Sequence, residues 1–295
     1  MVKDKIASCN VISMPTGTIK MNTPPPTPVI GPPPKSTKYV GVKHTIMVMS
    51  GKGGVGKSTV SVNLAVALAK KFKVGLIDVD INGPDDPMLL GVSGKDVEVK
   101  GTQILPVKTP FGVDVISMGF MLPSDDTAII WRGALRHKAI QQFLEEVQWE
   151  GYDYMVLDMP PGTGDEPLSI SQLVPKVDGV IIVVTPQDVA LLDARKAIDF
   201  CKKVEMKVLG IVENMSGFVC PHCGETTYIF KKGGGEEAAK KYNVPFLGRI
   251  PFSMEIVEGT DSGVPSASLN DTVSAIFTDI ADKIAQSVDV APSPK

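Results

Sequence analysis

The chain has 295 residues, 43% hydrophobic and 21% charged, with a formal net charge of -3. That is enough apolar material for one large domain or two small ones, and 30 basic against 33 acidic residues leave no global field for holding nucleic acid. The longest apolar run, GVIIVVT, is too short to span a membrane, and MVKDKIASCN lacks the apolar region of a secretion signal; with only four cysteines, a reducing cytoplasm is the expected compartment.

Residues 1–40 hold eight of the 24 prolines, mostly in PPPTPVIGPPP. Proline removes backbone donors and favours extended geometry, so a flexible arm is expected there, followed by one domain over 41–288 and a short tail over 289–295. From His44 onward short β-branched runs alternate with helix-period segments. The pattern predicts an α/β fold, a doubly wound and mostly parallel sheet with helices on both faces. Strands are expected at 45–49, 74–78, 113–117, 154–158, 179–185, 207–213 and 246–250. Their apolar residues fall on consecutive positions, as in strands covered on both sides. Helices are expected at 58–71, 133–147, 189–203 and 271–285. In the second, Ile140, Phe143, Leu144 and Val147 share one face; in the last, Val273, Ile276, Phe277, Ile280 and Ile284 do.

Directly after the first strand comes GKGGVGKST: Gly51, Lys52, Gly53, Gly54, Val55, Gly56, Lys57, Ser58 and Thr59. This satisfies the G-x-x-x-x-G-K-[ST] phosphate loop in its strand-loop-helix context. The glycines let backbone N–H groups converge on phosphate oxygens, and the helix adds its positive end. Lys57 is expected to reach the β and γ phosphates of ATP, and Ser58 to ligate Mg²⁺. Acidic residues follow two later strands: Asp78 and Asp80 in GLIDVDINGPDDP, and Asp158 in YDYMVLDMPPGTGD. Such strand ends lie where a P-loop ATPase binds its nucleotide.

The second loop lysine, Lys52, gives the form G-K-G-G-x-G-K-[ST], which resembles the deviant P-loop of the MinD, ParA and nitrogenase iron protein superfamily. The resemblance implies that Lys52 reaches across a dimer interface to the partner's nucleotide. It also implies that Asp80 orients the attacking water, that Asp78 assists Mg²⁺ through water and that Asp158 holds the Mg²⁺ shell, with PPGTG as a phosphate-sensing switch. Longer strings, DVDINGPDDP, WRGALRHKAIQQFLEEVQW, DMPPGTGDEPLSISQ, VENMSGFVCPHCGE and LGRIPF, resemble the Mrp family of iron-sulfur cluster carrier ATPases, close to ApbC and the eukaryotic cytosolic scaffolds. In that superfamily the adenine pocket uses positions matched by Asn214 and Pro251. Three features depart from the family pattern. The proline-rich arm stands where some members carry a small acidic domain. Only Cys9 lies where some members carry an N-terminal four-cysteine motif, and Asp85, followed by Asp86, replaces the usual serine after Gly-Pro.

Cys220 and Cys223 form C-P-H-C. Alone, this spacing is compatible with zinc, an iron-sulfur cluster or a redox dithiol. A tetrahedral zinc site or a [4Fe-4S] cluster wants four thiolates, and two chains about a two-fold axis would supply them. His222 reads as an exposed turn residue, and Cys201 as a small buried thiol aligned with Ala190, Ala194 and Ala197. Together with the resemblance, these residues imply a homodimeric, Mg²⁺-dependent ATPase. It would carry a labile [4Fe-4S] cluster to apo iron-sulfur proteins, with neither nucleic acid nor membrane as partner. The alternatives are a MinD- or ParA-like positioning ATPase and a zinc-stabilised ATPase without cluster transfer. The acidic C-terminal helix, with Asp271, Asp279 and Asp282 against Lys283, disfavours the first.

Overall fold

Runs of Ile, Val, Leu and Met with no polar side to offer water are stable only between two apolar layers, and here they form one eight-stranded sheet. The computed structural model describes residues 41–80, 83–101, 103–121, 133–187, 189–220 and 222–289. The expected arm with Cys9, and residues 290–295 of the expected tail, lie outside them. In chain order the strands are β1 Val42–Ser50, β2 Val74–Asp78, β3 Val99–Lys100, β4 Gln103–Ile104, β5 Val107–Lys108 and β6 Val113–Ser117. There follow β7 Tyr152–Asp158, β8 Gly179–Val184, β9 Val208–Glu213, β10 Phe218–Val219, β11 Thr226–Thr227 and β12 Phe246–Arg249. The α-helices are α1 Lys57–Ala69, α2 Asp86–Leu89, α3 Gly133–Glu145, α4 Asp165–Leu173, α5 Ala190–Lys203, α6 Gly234–Tyr242, α7 Met254–Ser262 and α8 Thr272–Asp289.

The sheet order is β12-β9-β8-β1-β7-β2-β6-β5, parallel throughout except for β5 at the edge. On one face α1 and α8 pack through Val60, Leu64, Leu68, Phe277, Ile280 and Ile284. On the other, α3 to α6 contribute Phe143, Ile170, Ala194, Ile198 and Ala238. The doubly wound arrangement is the expected one.

Strand edges differ from the expected ones by three residues at most; β1 begins at Val42 because that residue already pairs with Tyr152 of β7. Ile140, Phe143 and Leu144 face the core as the spacing predicts, while Val147 lies past the end of α3 and bridges Ile104. Helix α8 continues to Asp289, one residue into the expected tail. The short helices α2, α4, α6 and α7 and the two hairpins are additions to the expected set.

Parallel pairing brings the chemistry together. Val48 of β1 and Asp78 of β2 both pair with Asp158 of β7, and Glu213 of β9 pairs with Val184 and Arg249. The carboxyl ends of six strands therefore converge on one rim, where open α/β sheets bind ligands.

Candidate functional site

The loop between Ser50 and Lys57 needs glycine for conformational reasons. Gly54 and Gly56 have φ of 75° and 77°, and Gly56 caps α1 in the left-handed conformation. No side chain caps α1 and its first turn holds no acidic residue, so its free N–H groups and positive end face a cleft of about 390 Å³. Lys52, Gly53, Lys57, Ser58, Asp80 and Pro161 line that cleft. This donor set fits a polyphosphate. Val55 is 2% exposed, so only its backbone is available to a ligand.

Below the loop lies a buried charge network. Asp158 Oδ2 accepts from Lys57 Nζ and from Ser58 Oγ, both at 2.7 Å, and Oδ1 accepts from Ser61 Oγ at 2.5 Å. Lys57 also lies 4.0 Å from Asp80. Burial by itself would lower the Lys57 pKa, but Asp158, Asp86 and Asp80 outweigh it and hold the ammonium above its ordinary value. Asp78 accepts from Ser117 Oγ at 2.8 Å and from the Asp80 N–H at 3.0 Å. Burial, then the charge of Asp158, pushes the Asp78 carboxyl well above the usual carboxylate range.

The structure brings a residue into this network that the sequence reading treated only as a departure. Asp86, in the first turn of α2, is fully buried, and neither carboxylate oxygen has a hydrogen-bond partner. Carboxylate oxygens of Asp78, Asp86 and Asp158 lie within 4.8 Å of one another. Burial, then Asp78 and Asp158, raises the Asp86 pKa well above its ordinary value. Three buried carboxyls share one lysine, so they resist ionising together without a further cation, and with the Ser58 hydroxyl this oxygen-rich set fits a hard divalent cation such as Mg²⁺.

Lys52 forms an ion pair with Asp193 of its own chain at 3.1 Å. Asp193 also explains Gly51, where a Cβ would come within 2.5 Å of the Asp193 carbonyl oxygen. In the PPGTG segment, Gly162 donates its N–H to Ser50 O at 2.9 Å, tying the expected switch to the end of β1.

Asn214 and Pro251 meet across a smaller pocket of about 170 Å³ that adjoins the first cleft at Gly56, Thr59 and Thr260. Asn214 Nδ2 donates to Val55 O at 2.9 Å. Met215, Phe252, Ile256 and Val257 give this pocket an apolar wall suited to a flat base. A larger hollow of about 580 Å³, lined by Lys73, Lys100, Asp114 and Tyr152 among others, holds none of the expected site residues. Volume does not identify the site in this fold.

Cys220 and Cys223 stand on the turn between β10 and β11, outside the cleft. The turn is closed by Cys220 N–H donating to Glu225 O and Gly224 N–H donating to Cys220 O, each at 2.9 Å. Backbone N–H groups of Cys223 and His222 hold the Cys220 sulfur and lower its pKa. Both thiols are free; Cys223 and His222 are exposed and Cys220 half-buried. Cys201 is fully buried, and burial pushes its thiol up to about 12.

Ser61, Ser117, Asp86 and Asp193 are the site residues that the sequence reading left out. Only Ser61 had a local signal, lying three residues after Ser58 on the same helix; the others arrive through pairing between distant segments.

Residues 41–285 match a family profile described as ParA, NUBPL iron-transfer P-loop NTPase. An iron-sulfur cluster carrier protein of Methanocaldococcus jannaschii is 47% identical over 249 residues, 84% of this chain and 86% of that one. A cytosolic Fe-S cluster assembly factor Nubp2 homolog of Aedes aegypti is 48% identical over 253 residues, 83% of this chain and 97% of that one. Among solved structures, a nucleotide-binding protein of Archaeoglobus fulgidus in complex with ADP superposes with a TM-score of 0.67 at 42% identity, over 75% of this chain and 87% of that one. The cell division ATPase MinD of Pyrococcus furiosus, at 24% identity and a TM-score of 0.63, shares the fold over 82% of this chain and 98% of its own.

Proposed function

The chain belongs to the iron-transfer P-loop NTPase family, and from that premise we propose that it carries a labile [4Fe-4S] cluster as cargo and delivers it to apo iron-sulfur proteins. Cys220 and Cys223 of two copies hold the cluster, and each copy binds and slowly hydrolyses ATP. The observation that carries this reading is an uncapped phosphate loop after β1 together with two free thiols, one exposed and one half-buried, on the segment after β9, both leaving the carboxyl ends of parallel strands of one sheet. Two thiols per chain make half a site, and a two-fold axis completes it with four. A cluster between subunits is more open to a recipient than one enclosed by a single chain. The expected compartment is the cytoplasm.

In this reading the N–H groups from Gly51 to Thr59 receive phosphate oxygens, and Lys57 leaves Asp158 for the β and γ phosphates. Asp80, lining the cleft, accepts a hydrogen bond from the attacking water and aims it at the γ phosphorus. Asp158 and Ser58 would hold Mg²⁺, with Asp78 assisting through water, and the ion would supply charge neutralisation at the phosphate oxygens. Lys52 exchanges Asp193 for the partner's nucleotide, which links hydrolysis to dimer geometry. Asn214, Pro251 and the apolar wall beside them hold the adenine. The segment Pro160 to Gly164, bonded to Ser50, moves with the phosphate and serves as the switch.

The positioning-ATPase alternative needs an exposed amphipathic face. Helix α8 spends its apolar side, Val273, Phe277, Ile280 and Ile284, in the core beside α1, and Asp282 pairs with Lys71 at 2.6 Å. Among the described residues no helix is long and apolar enough to cross a membrane.

Anaerobic reconstitution with iron and sulfide, read by visible absorption and Mössbauer spectra, tests the carrier reading. One [4Fe-4S] cluster per dimer is expected for the wild-type chain and none for Cys220→Ala with Cys223→Ala. A full cluster on the double variant would refute the assigned thiols. Stoichiometric zinc in anaerobically isolated protein, with no iron passing to an apo-ferredoxin, would favour the zinc-stabilised alternative instead.

A further inference from the structure

The segment bearing the cysteines leaves the sheet after β9 and rejoins it at α6, and a single buried carboxylate holds both of its ends. Glu213, the last residue of β9, is fully buried. It accepts hydrogen bonds from Ser216 Oγ at 2.5 Å, Gly233 N–H at 3.3 Å, Gly235 N–H at 2.6 Å and Arg249 Nε at 3.2 Å. Arg249 also pairs with Glu236 in the first turn of α6. Ser216 precedes the hairpin, and Gly233 and Gly235 follow it, so this carboxylate closes the loop that contains both thiols. At Gly235 a Cβ would come within 2.9 Å of the Glu213 Cβ, so the close approach needs glycine. A buried carboxyl group that accepts from four donors, one of them the Arg249 guanidinium, makes a stiff joint.

The same strand end forms a wall of the nucleotide pocket. Asn214 is the next residue, and it lines that pocket with Met215, Pro251 and Phe252. Two backbone bonds join this wall to the hairpin: Ser216 N–H donates to Ile250 O and Phe252 N–H to Gly217 O, both at 2.8 Å. Phe218 of β10 forms a bridge with Phe252, their ring centroids 6.3 Å apart. A base seated on Asn214 and Pro251 thus presses on residues bonded directly to the root of the hairpin.

We propose that Glu213 is the positioning residue of the cysteine pair. Nucleotide occupancy reaches Cys220 through this carboxylate and the joint between Gly217 and Phe252. The inference rests on the nucleotide-binding part of the proposed function and is independent of which metal cargo the thiols hold.

The test uses the reduced, metal-free full-length chain. Alkylation of Cys220 and Cys223 by iodoacetamide is followed by peptide mass spectrometry, with and without saturating ADP. In the wild type, ADP should change the Cys220 rate by about fivefold, the lower end of ordinary coupling between sites. Glu213→Gln keeps the side-chain volume but loses the charge facing Arg249. Its ADP response should fall below about twofold while ADP affinity stays near wild type; the melting midpoint should drop, because the new amide NH2 faces backbone or side-chain donors. A merely structural role would alter the rate equally with and without ADP and leave the ratio intact; an intact ratio overturns the proposal. Should Glu213→Gln fail to melt cooperatively, Ser216→Ala and Arg249→Met each remove one partner and must each at least halve the ratio. An unchanged ratio in either overturns it. A wild-type chain that binds ADP without any change at Cys220 sinks this inference alone, whereas one that binds no ADP sinks the nucleotide reading and this inference with it. Failure to assemble a cluster would count against the carrier reading only, since the thiol readout uses no metal.

Discussion

The phosphate-loop end of the sheet and the cysteine hairpin lie on the same rim, yet they are built in opposite ways. Lys57 is 7% exposed and Asp78, Asp86 and Asp158 are fully buried, supported by parallel strands covered on both faces. The hairpin consists of two strands of two residues, with Val219, Tyr228 and Ile229 exposed around its thiols. Such a hairpin has marginal stability of its own. A site that must stabilise charge during phosphoryl transfer gains from dry, prearranged groups. On the proposed reading, the thiols hold a cargo that must be surrendered, and such a site gains from access. The pKa directions follow the same division: burial raises the carboxyls of Asp78 and Asp86, while open backbone N–H groups lower the thiol of Cys220.

The largest effect is expected where the buried end meets ATP. Lys57→Ala removes the only lysine in contact with Asp158 among the described residues and the cation that must reach the phosphates. Phosphate release with Mg²⁺ and ATP should fall by at least about 100-fold, the scale of losing one prearranged charge-stabilising donor. Turnover within a few-fold of wild type would break the assignment of the loop as a hydrolytic site.

A smaller effect, read as stability, sharpens the claim that this end stores unfavourable charge. The folded-state pKa of Asp86 lies well above its ordinary 3.8, through burial and then the charges of Asp78 and Asp158. The fold therefore holds this proton where the unfolded chain has lost it. The stabilising contribution is complete below about pH 4 and is lost as pH rises through the folded value. Asp86→Asn has no proton to lose. The variant should gain on wild type by about 1–3 kcal/mol between pH 5 and pH 8, measured by urea unfolding of the nucleotide-free chain. A difference that does not grow with pH would show that the cluster is not strained.

The two regions were also unequally legible in the sequence. Consecutive apolar residues announce buried parallel strands, and the glycines of the phosphate loop announce a backbone that curls, so both were readable with positions nearly right. Cys201 was readable as well, because its helical spacing from Ala194 and Ala197 places all three on a face that proves fully buried. Asp86 was not readable. It lies in a four-residue helix too short to show periodicity, and it meets Asp158 only because β2 and β7 pair in parallel. The bond from Ser61 to Asp158 spans 97 residues of sequence because β1, which leads into α1, also pairs with β7. In the hairpin the Cys-x-x-Cys spacing was plain, but strands of two residues carry no alternation, and the turn is fixed by backbone bonds whose one side-chain demand is glycine at position 224, where φ is 73°.

The smallest expected effect tests whether the hairpin is energetically separate from the core. Tyr228, 41% exposed, packs over Gly217 and lies under the Lys232 ammonium, 4.8 Å from the ring centroid. Exposed contacts of this kind contribute about 0.5–1 kcal/mol. Tyr228→Ala should therefore lower global stability by no more than about 1 kcal/mol. Met49 is fully buried in β1 beneath the phosphate loop, and Met49→Ala there should cost about 2–5 kcal/mol. Urea unfolding of the two variants under identical conditions gives the ratio directly. The local signature should run the other way, because amides around Thr226 and Thr227 should exchange faster in Tyr228→Ala and keep wild-type rates in Met49→Ala under strongly native conditions. If Tyr228→Ala instead cost as much as Met49→Ala, the hairpin would belong to the same cooperative unit as the sheet, and ease of cargo release could not be ascribed to a weakly held turn.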